Sequence, residues 1–126
     1  FLPGRFRDPA TLEPGDIRRA MPRFQSPNWE ANLALLPAFN AIAARAGCSP
    51  AQLALAWLLH KAPHVLPLPG TTSLQHLEDD VGAARVRLDA STIAEVESLF
   101  TPRAIHGARY PAATLLEVDT EDWPPA

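Results

Sequence analysis

The chain is short of cysteine, lysine, tyrosine and methionine, with one of each in 126 residues. A single thiol closes no internal disulfide. Cys48 has no neighbouring His or Cys with which to hold a metal or become an activated nucleophile, so it reads as a small turn residue. No apolar run approaches the roughly 18 residues that cross a bilayer, and the opening Phe1-Leu2-Pro3-Gly4-Arg5-Phe6-Arg7 is not a signal peptide. A cytoplasmic location without a membrane partner is the default expectation. Catalytic signatures are missing as well: there is no nucleophile elbow, no HExxH and no pair of carboxylates in an apolar setting. Tyr110 lies in the tail and Lys61 ends an apolar helix, so neither takes a catalytic role, and no internal repeat is found.

Net positive charge is also missing. The formal charge is −3, with five arginines against three acids in residues 1–24 and four acids without a base after Tyr110. That balance argues against a nucleic-acid face, and it leaves room for a small anion in a local pocket. With 47% hydrophobic and 20% charged residues, the chain has the make-up of one soluble globular domain rather than of a disordered segment.

Proline, by contrast, is plentiful. Of 14 prolines, five fall in residues 1–27, where no hydrophobic period is sustained, and this stretch is expected to be a long, functional loop. A helical pattern starts at Asn28, with Leu33, Leu36, Phe39 or Asn40, Ile42 and Ala43 on one stripe and Gly47 as its stop. Pro37 should bend it near Leu36 or restart it there. Ser49-Pro50-Ala51-Gln52 is a capping box with proline at the first helical position, opening a helix to about Lys61 that is apolar almost all round and therefore buried, with Trp57 as packing. A third helix follows the cap Asp89, with Ile93, Val96, Leu99 and Phe100 on its inner face.

Between these helices lies the most informative stretch, His64 to Ala84. Val65 to Leu68 is a short apolar run bounded by prolines, as a buried strand would be; Pro69 and Gly70 stop it. Ser73 caps a helix beginning at Leu74, with Leu74, Leu77 and Val81 at helical spacing. Where a strand hands over to a helix, the first backbone N–H groups have no intrahelical acceptor and carry about half a positive charge, which suits a phosphate. On pattern alone, the hydroxyls of Thr71, Thr72 and Ser73 either serve such an anion or simply cap the helix.

Leu68-Pro69-Gly70-Thr71-Thr72-Ser73-Leu74-Gln75-His76-Leu77-Glu78-Asp79-Asp80 resembles the C-terminal signature of the aldo-keto reductases. Ala51 to Leu59 is similar to their seventh barrel helix, Phe1-Leu2-Pro3-Gly4 and the Asp16, Arg23 and Asn28 region to their loop after the seventh strand, and the helix after Asp89 to their eighth. The resemblance implies an α/β fold, the C-terminal portion of a (β/α)8 TIM barrel: the loop after strand 7, helix 7, strand 8 and helix 8, predominantly helical as a fragment. Residues 1–126 would then form part of a single barrel domain, with 1–27 a long loop, 28–100 the barrel helices and last strand, and 101–126 a tail whose acidic, proline-ended finish lies on the surface or frays.

It further implies an NADP(H)-dependent oxidoreductase acting on a small-molecule carbonyl substrate, with this chain supplying the adenosine 2′-phosphate site. Gly70 would let the backbone approach the nucleotide, and Thr71, Thr72 and Ser73 would meet phosphate oxygens. His76 stands where the family often has arginine or histidine. Asp79-Asp80 replaces the family's usual Glu-Asn; an aspartate only accepts, so Asp80 could make at most half of the adenine contact. Read as residues alone, His76, Asp79 and Asp80 are equally solvated side chains of a helix. The family's catalytic tyrosine, lysine, aspartate and histidine come from earlier strands, so the rest of the barrel, normally about 250 residues in all, is the expected partner. The alternative is a non-catalytic nucleotide-binding regulatory subunit.

Overall fold

The computed structural model describes residues 1–4, 6 and 8–118; the acidic end of the tail, 119–126, lies outside the described residues. Among the described residues six α-helices follow one another: α1 Asn28–Leu33, α2 Leu36–Arg45, α3 Pro50–Lys61, α4 Leu74–Gly82, α5 Ala90–Leu99 and α6 Ala112–Leu115. Ahead of them, three short 3-10 turns, Pro9–Thr11, Ile17–Ala20 and Pro22–Phe24, give the proline-rich segment its shape. None of the described helices is long and apolar enough to cross a membrane.

Local chemistry explains most of the boundaries. Pro37 ends α1 as a continuous helix and sits in the first turn of α2, where its missing N–H costs nothing. Gly47, at φ 68°, ends α2 while the Gly47 and Cys48 N–H groups return to the carbonyls of Ala44 and Ala43, a Schellman closure. Ser49 caps α3 through both arms of a capping box, and Asp89 caps α5 by accepting the Thr92 N–H at 2.7 Å.

The core lies where α2, α3 and α5 meet. Phe39, Ile42, Ala43, Leu53, Ala56, Leu88 and Val96 are buried there, and Phe100 sets its ring edge-on to Phe39 at 5.3 Å. Each large side chain removed from water contributes about 1.5–3 kcal/mol. A second cluster ties down the start of the chain: Trp29, buried on α1, is ringed by Phe1, Phe6 and Phe24 at 5.1–5.7 Å. The tail is stitched to the same region. Buried Asn32 donates to the His106 carbonyl at 2.9 Å and accepts the His106 N–H at 2.8 Å, while Arg23 Nε donates to the Gly107 carbonyl at 3.1 Å.

One expectation fails in the middle of the chain. Residues 65–68 do not form a buried strand: Leu66 and Leu68 are 81% and 95% exposed, and no strand occurs among the described residues. An apolar run becomes a strand only when a second strand accepts and donates along its ladder, and here none is present to pair with it. The α4 helix forms, but its apolar stripe faces outward. Leu74, Leu77 and Val81 are exposed, none of its residues is buried, and its polar edge is turned to α3. Hydrophobic spacing identifies a stripe without saying whether anything covers it.

Candidate nucleotide-phosphate site

The polar edge of α4 and the start of α3 enclose a pocket of about 290 Å³. Gly70, Thr71, His76, Asp79 and Asp80 line it from one side, and Ser49, Pro50 and Ala51 from the other, with Pro3 contributed by the N-terminal segment. Five of the seven residues singled out in the sequence therefore meet around one space. Thr72 and Ser73 do not line it. Thr72 is exposed, and Ser73 is engaged as the α4 cap, its Oγ accepting the His76 N–H at 3.4 Å.

The turn into α4 is held by its own hydroxyls. Thr71 Oγ1 accepts the Ser73 N–H at 3.1 Å and lies 3.4 Å from His76 Nδ1, so one threonine shapes the turn and touches the imidazole. Residues 69–72 are exposed, so no side chain of the described residues seals the turn. A Cβ at Gly70 would meet nothing within 4 Å. The chain's own packing therefore gives no reason for glycine there.

The opposite wall is firmer. Ser49 Oγ donates to Asp79 Oδ2 at 2.8 Å and accepts the Gln52 N–H at 3.1 Å. Gln52 in turn accepts the Ser49 N–H at 3.1 Å through Oε1 and donates through Nε2 to the Asp79 carbonyl at 3.1 Å. The capping box of α3 thus doubles as a bolt onto α4. Its local half was legible as Ser-x-x-Gln; its reach to Asp79, 30 residues on, left no signal in the sequence, and so Ser49, Pro50 and Ala51 were missed as pocket residues.

Electrostatically, the pocket lies beside the N-terminal ends of two helices, α3 and α4, the ends that carry the partial positive charge of a helix. Against that stand the carboxylates of Asp79 and Asp80. His76 is the only basic side chain among the described residues that line the space. Burial and the nearby Asp79 carboxylate push the neighbouring Cys48 thiol up from its ordinary value, which keeps it protonated and inert at neutral pH. No group of three or more His, Cys, Asp or Glu side chains suited to a metal ion occurs among the described residues.

Lys61 and Tyr110 lie outside this pocket. Lys61 Nζ pairs with Glu97 at 2.7 Å and sits over the Trp57 ring at 4.7 Å, and Tyr110 lies beneath the Arg109 guanidinium at 5.1 Å.

Comparison with known proteins gives two findings. The model of the Aldo/keto reductase family matches residues 1–100. The NADP(+) aldo-keto reductase yakc of Schizosaccharomyces pombe is 37% identical over 126 positions, which cover 98% of this chain and 37% of that relative. The chain thus spans well under half the length of the curated relative it matches.

Proposed function

Since this chain belongs to the aldo/keto reductase family, we propose that it forms the C-terminal part of an NADP(H)-dependent enzyme that reduces aldehydes and ketones to alcohols, and that its own task is to hold the adenosine 2′-phosphate. One observation carries this reading: Gly70, Thr71, His76 and Asp80 converge with two helix N-termini on a single pocket. The Thr71 hydroxyl, the exposed backbone of Gly70 to Thr72 and the His76 imidazole fit a phosphate by donor type and charge. Asp80 fits an amino group of the base, since a carboxylate accepts and does not donate.

When bound, the cofactor supplies the hydride. This chain orients the far end of the nucleotide; a positioned proton donor for the carbonyl oxygen is not among the described residues of the pocket, and we assign that role to the remainder of the barrel. The outward face of α4 supports the same division. Leu66, Leu68, Leu74, Leu77 and Val81 present an apolar surface on the strand-like run and the helix that should be enclosed in a complete barrel.

Titration calorimetry tests the reading. NADP+ and 2′-AMP should bind with comparable affinity and NAD+ at least tenfold more weakly. His76→Ala should weaken NADP+ and 2′-AMP binding several-fold and leave NAD+ binding unchanged. Equal affinity for NAD+ and NADP+ would sink the proposal, and unchanged NADP+ affinity in His76→Ala would remove His76 from the site.

A further inference from the structure

The two neighbouring aspartates of α4 differ in what they touch. The Asp80 side chain lines the pocket without a hydrogen bond to any described residue, whereas Asp79 is bound twice to α3: its carboxylate accepts the Ser49 hydroxyl at 2.8 Å and its carbonyl accepts Gln52 Nε2 at 3.1 Å. The fit around this joint is tight. A Cβ on Gly82, one turn further along α4, would come within 2.5 Å of Gln52 Nε2, so the absence of a side chain at 82 is what lets the glutamine lie across to Asp79. Elsewhere α4 has little to hold it, because its apolar stripe is exposed and none of its residues is buried.

We infer that Asp79 is a positioning residue: it bolts α4 to the capped N-terminus of α3 and thereby sets the width of the pocket, leaving recognition on that turn to His76 and Asp80. The inference concerns the same pocket as the proposed nucleotide site and rests on that reading for its functional consequence, but the bolt itself exists without any ligand. Its chemistry is specific. Ser49 Oγ must accept from the Gln52 N–H to cap α3, which leaves its single proton for Asp79, and a charge-assisted O–H to carboxylate bond is among the stronger side-chain contacts available. An aspartate, one methylene shorter than glutamate, keeps its carboxylate close to its own helix, within reach of Ser49.

The experiment is amide hydrogen exchange on the whole 126-residue chain without nucleotide, paired with NADP+ titration. Asp79→Ala and Ser49→Asp, the latter retaining a good helix cap but no proton to donate, should each speed exchange across 74–82 about tenfold, the worth of one such bond. Exchange in α2 and α5 should not change. Asp79→Asn should stay near the parent, since its amide oxygen still accepts from Ser49, and Ser49→Asp with Asp79→Asn should restore protection by reversing donor and acceptor. NADP+ affinity should follow the exchange rates through the whole series. Unchanged α4 protection in Asp79→Ala overturns the inference, as does weakened NADP+ binding in that variant with affinity intact in Ser49→Asp, which would make Asp79 a direct ligand. If the parent chain binds no NADP+, the nucleotide reading fails while the exchange rates still decide whether Asp79 is the bolt.

Discussion

Asn32 is the sharpest test of how this chain holds together. Its side chain is 3% exposed, and its amide forms a two-bond bridge to the backbone of His106, 74 residues away. In Asn32→Ala both bonds are lost and the His106 N–H and carbonyl lose their partners. Two neutral hydrogen bonds contribute about 1 kcal/mol each, and His106 is itself exposed, so water can reach the freed groups and the loss should be about 2 kcal/mol. For a chain of this size that corresponds to a fall in Tm of roughly 8 °C. Asn32→Asp discriminates further. A carboxylate still accepts the His106 N–H, but it faces the His106 carbonyl with no proton to give, so it should be at least as damaging at neutral pH and partly rescued in acid, where the protonated carboxyl can donate. Thermal unfolding by circular dichroism reads the first effect, and exchange of the His106 amide reads the bridge itself. A Tm within about 2 °C of the parent for Asn32→Ala, with the His106 amide still protected, would refute the view that this amide fastens the tail.

The other consequences are briefer. Gly107→Ala should destabilise and loosen residues 104–110 in limited proteolysis, because Gly107 sits at φ 83° and a Cβ there would lie 2.7 Å from Asn28 Nδ2 and 3.1 Å from the Pro22 backbone; unaltered cleavage would contradict this. Asp16 accepts from the Arg18 side chain and then from the Arg18 N–H, which hold its carboxyl at about 2 instead of 3.8. A depressed carboxylate stabilises above its unfolded value and loses that contribution as pH falls, so the stability gap between the parent and Asp16→Asn should close between pH 4 and about 2; a gap that does not vary with pH would contradict it. Replacing Leu68, Leu74 and Val81 together by serine should leave the Tm of this chain within about 2 °C and reduce its self-association in analytical ultracentrifugation, since all three are more than half exposed; a large fall in Tm would show that the face is covered.

Much of the helical frame was legible because helix ends are written locally. The Ser49 box, the Asp89 and Ser73 caps and the Gly47 stop each involve residues within one turn of each other, and each closes in the structure as its chemistry requires. The run from Val65 to Leu68 was misleading for the converse reason. Its composition is that of a strand, but strand formation is a property of two segments, and the described residues offer no second one. The site divided the same way. The segment from Gly70 to Asp80 stood out through its hydroxyls, its cap and its likeness to a known signature. Ser49, Pro50 and Ala51, the wall facing it, carried only a helix-start signal, because a contact between residues 49 and 79 is made by packing and not by spacing.

The outward apolar face and the inward polar edge of α4 belong to one arrangement. Were the helix turned to bury Leu74, Leu77 and Val81 against α3, Asp79 and Asp80 would swing away from α3 and the pocket would be lost. The bolt from Ser49 and Gln52 to Asp79 holds the observed orientation with two hydrogen bonds, one of them charge-assisted, and Gly82 leaves room for the Gln52 amide that makes the other. In the longer barrel proposed above both demands would be met together, the leucines being covered while the polar edge stays at the pocket. The orientation of α4 suits that proposal for a chain that spans 37% of its relative: the pocket assigned to the nucleotide lies on one side of the helix and an exposed apolar surface on the other.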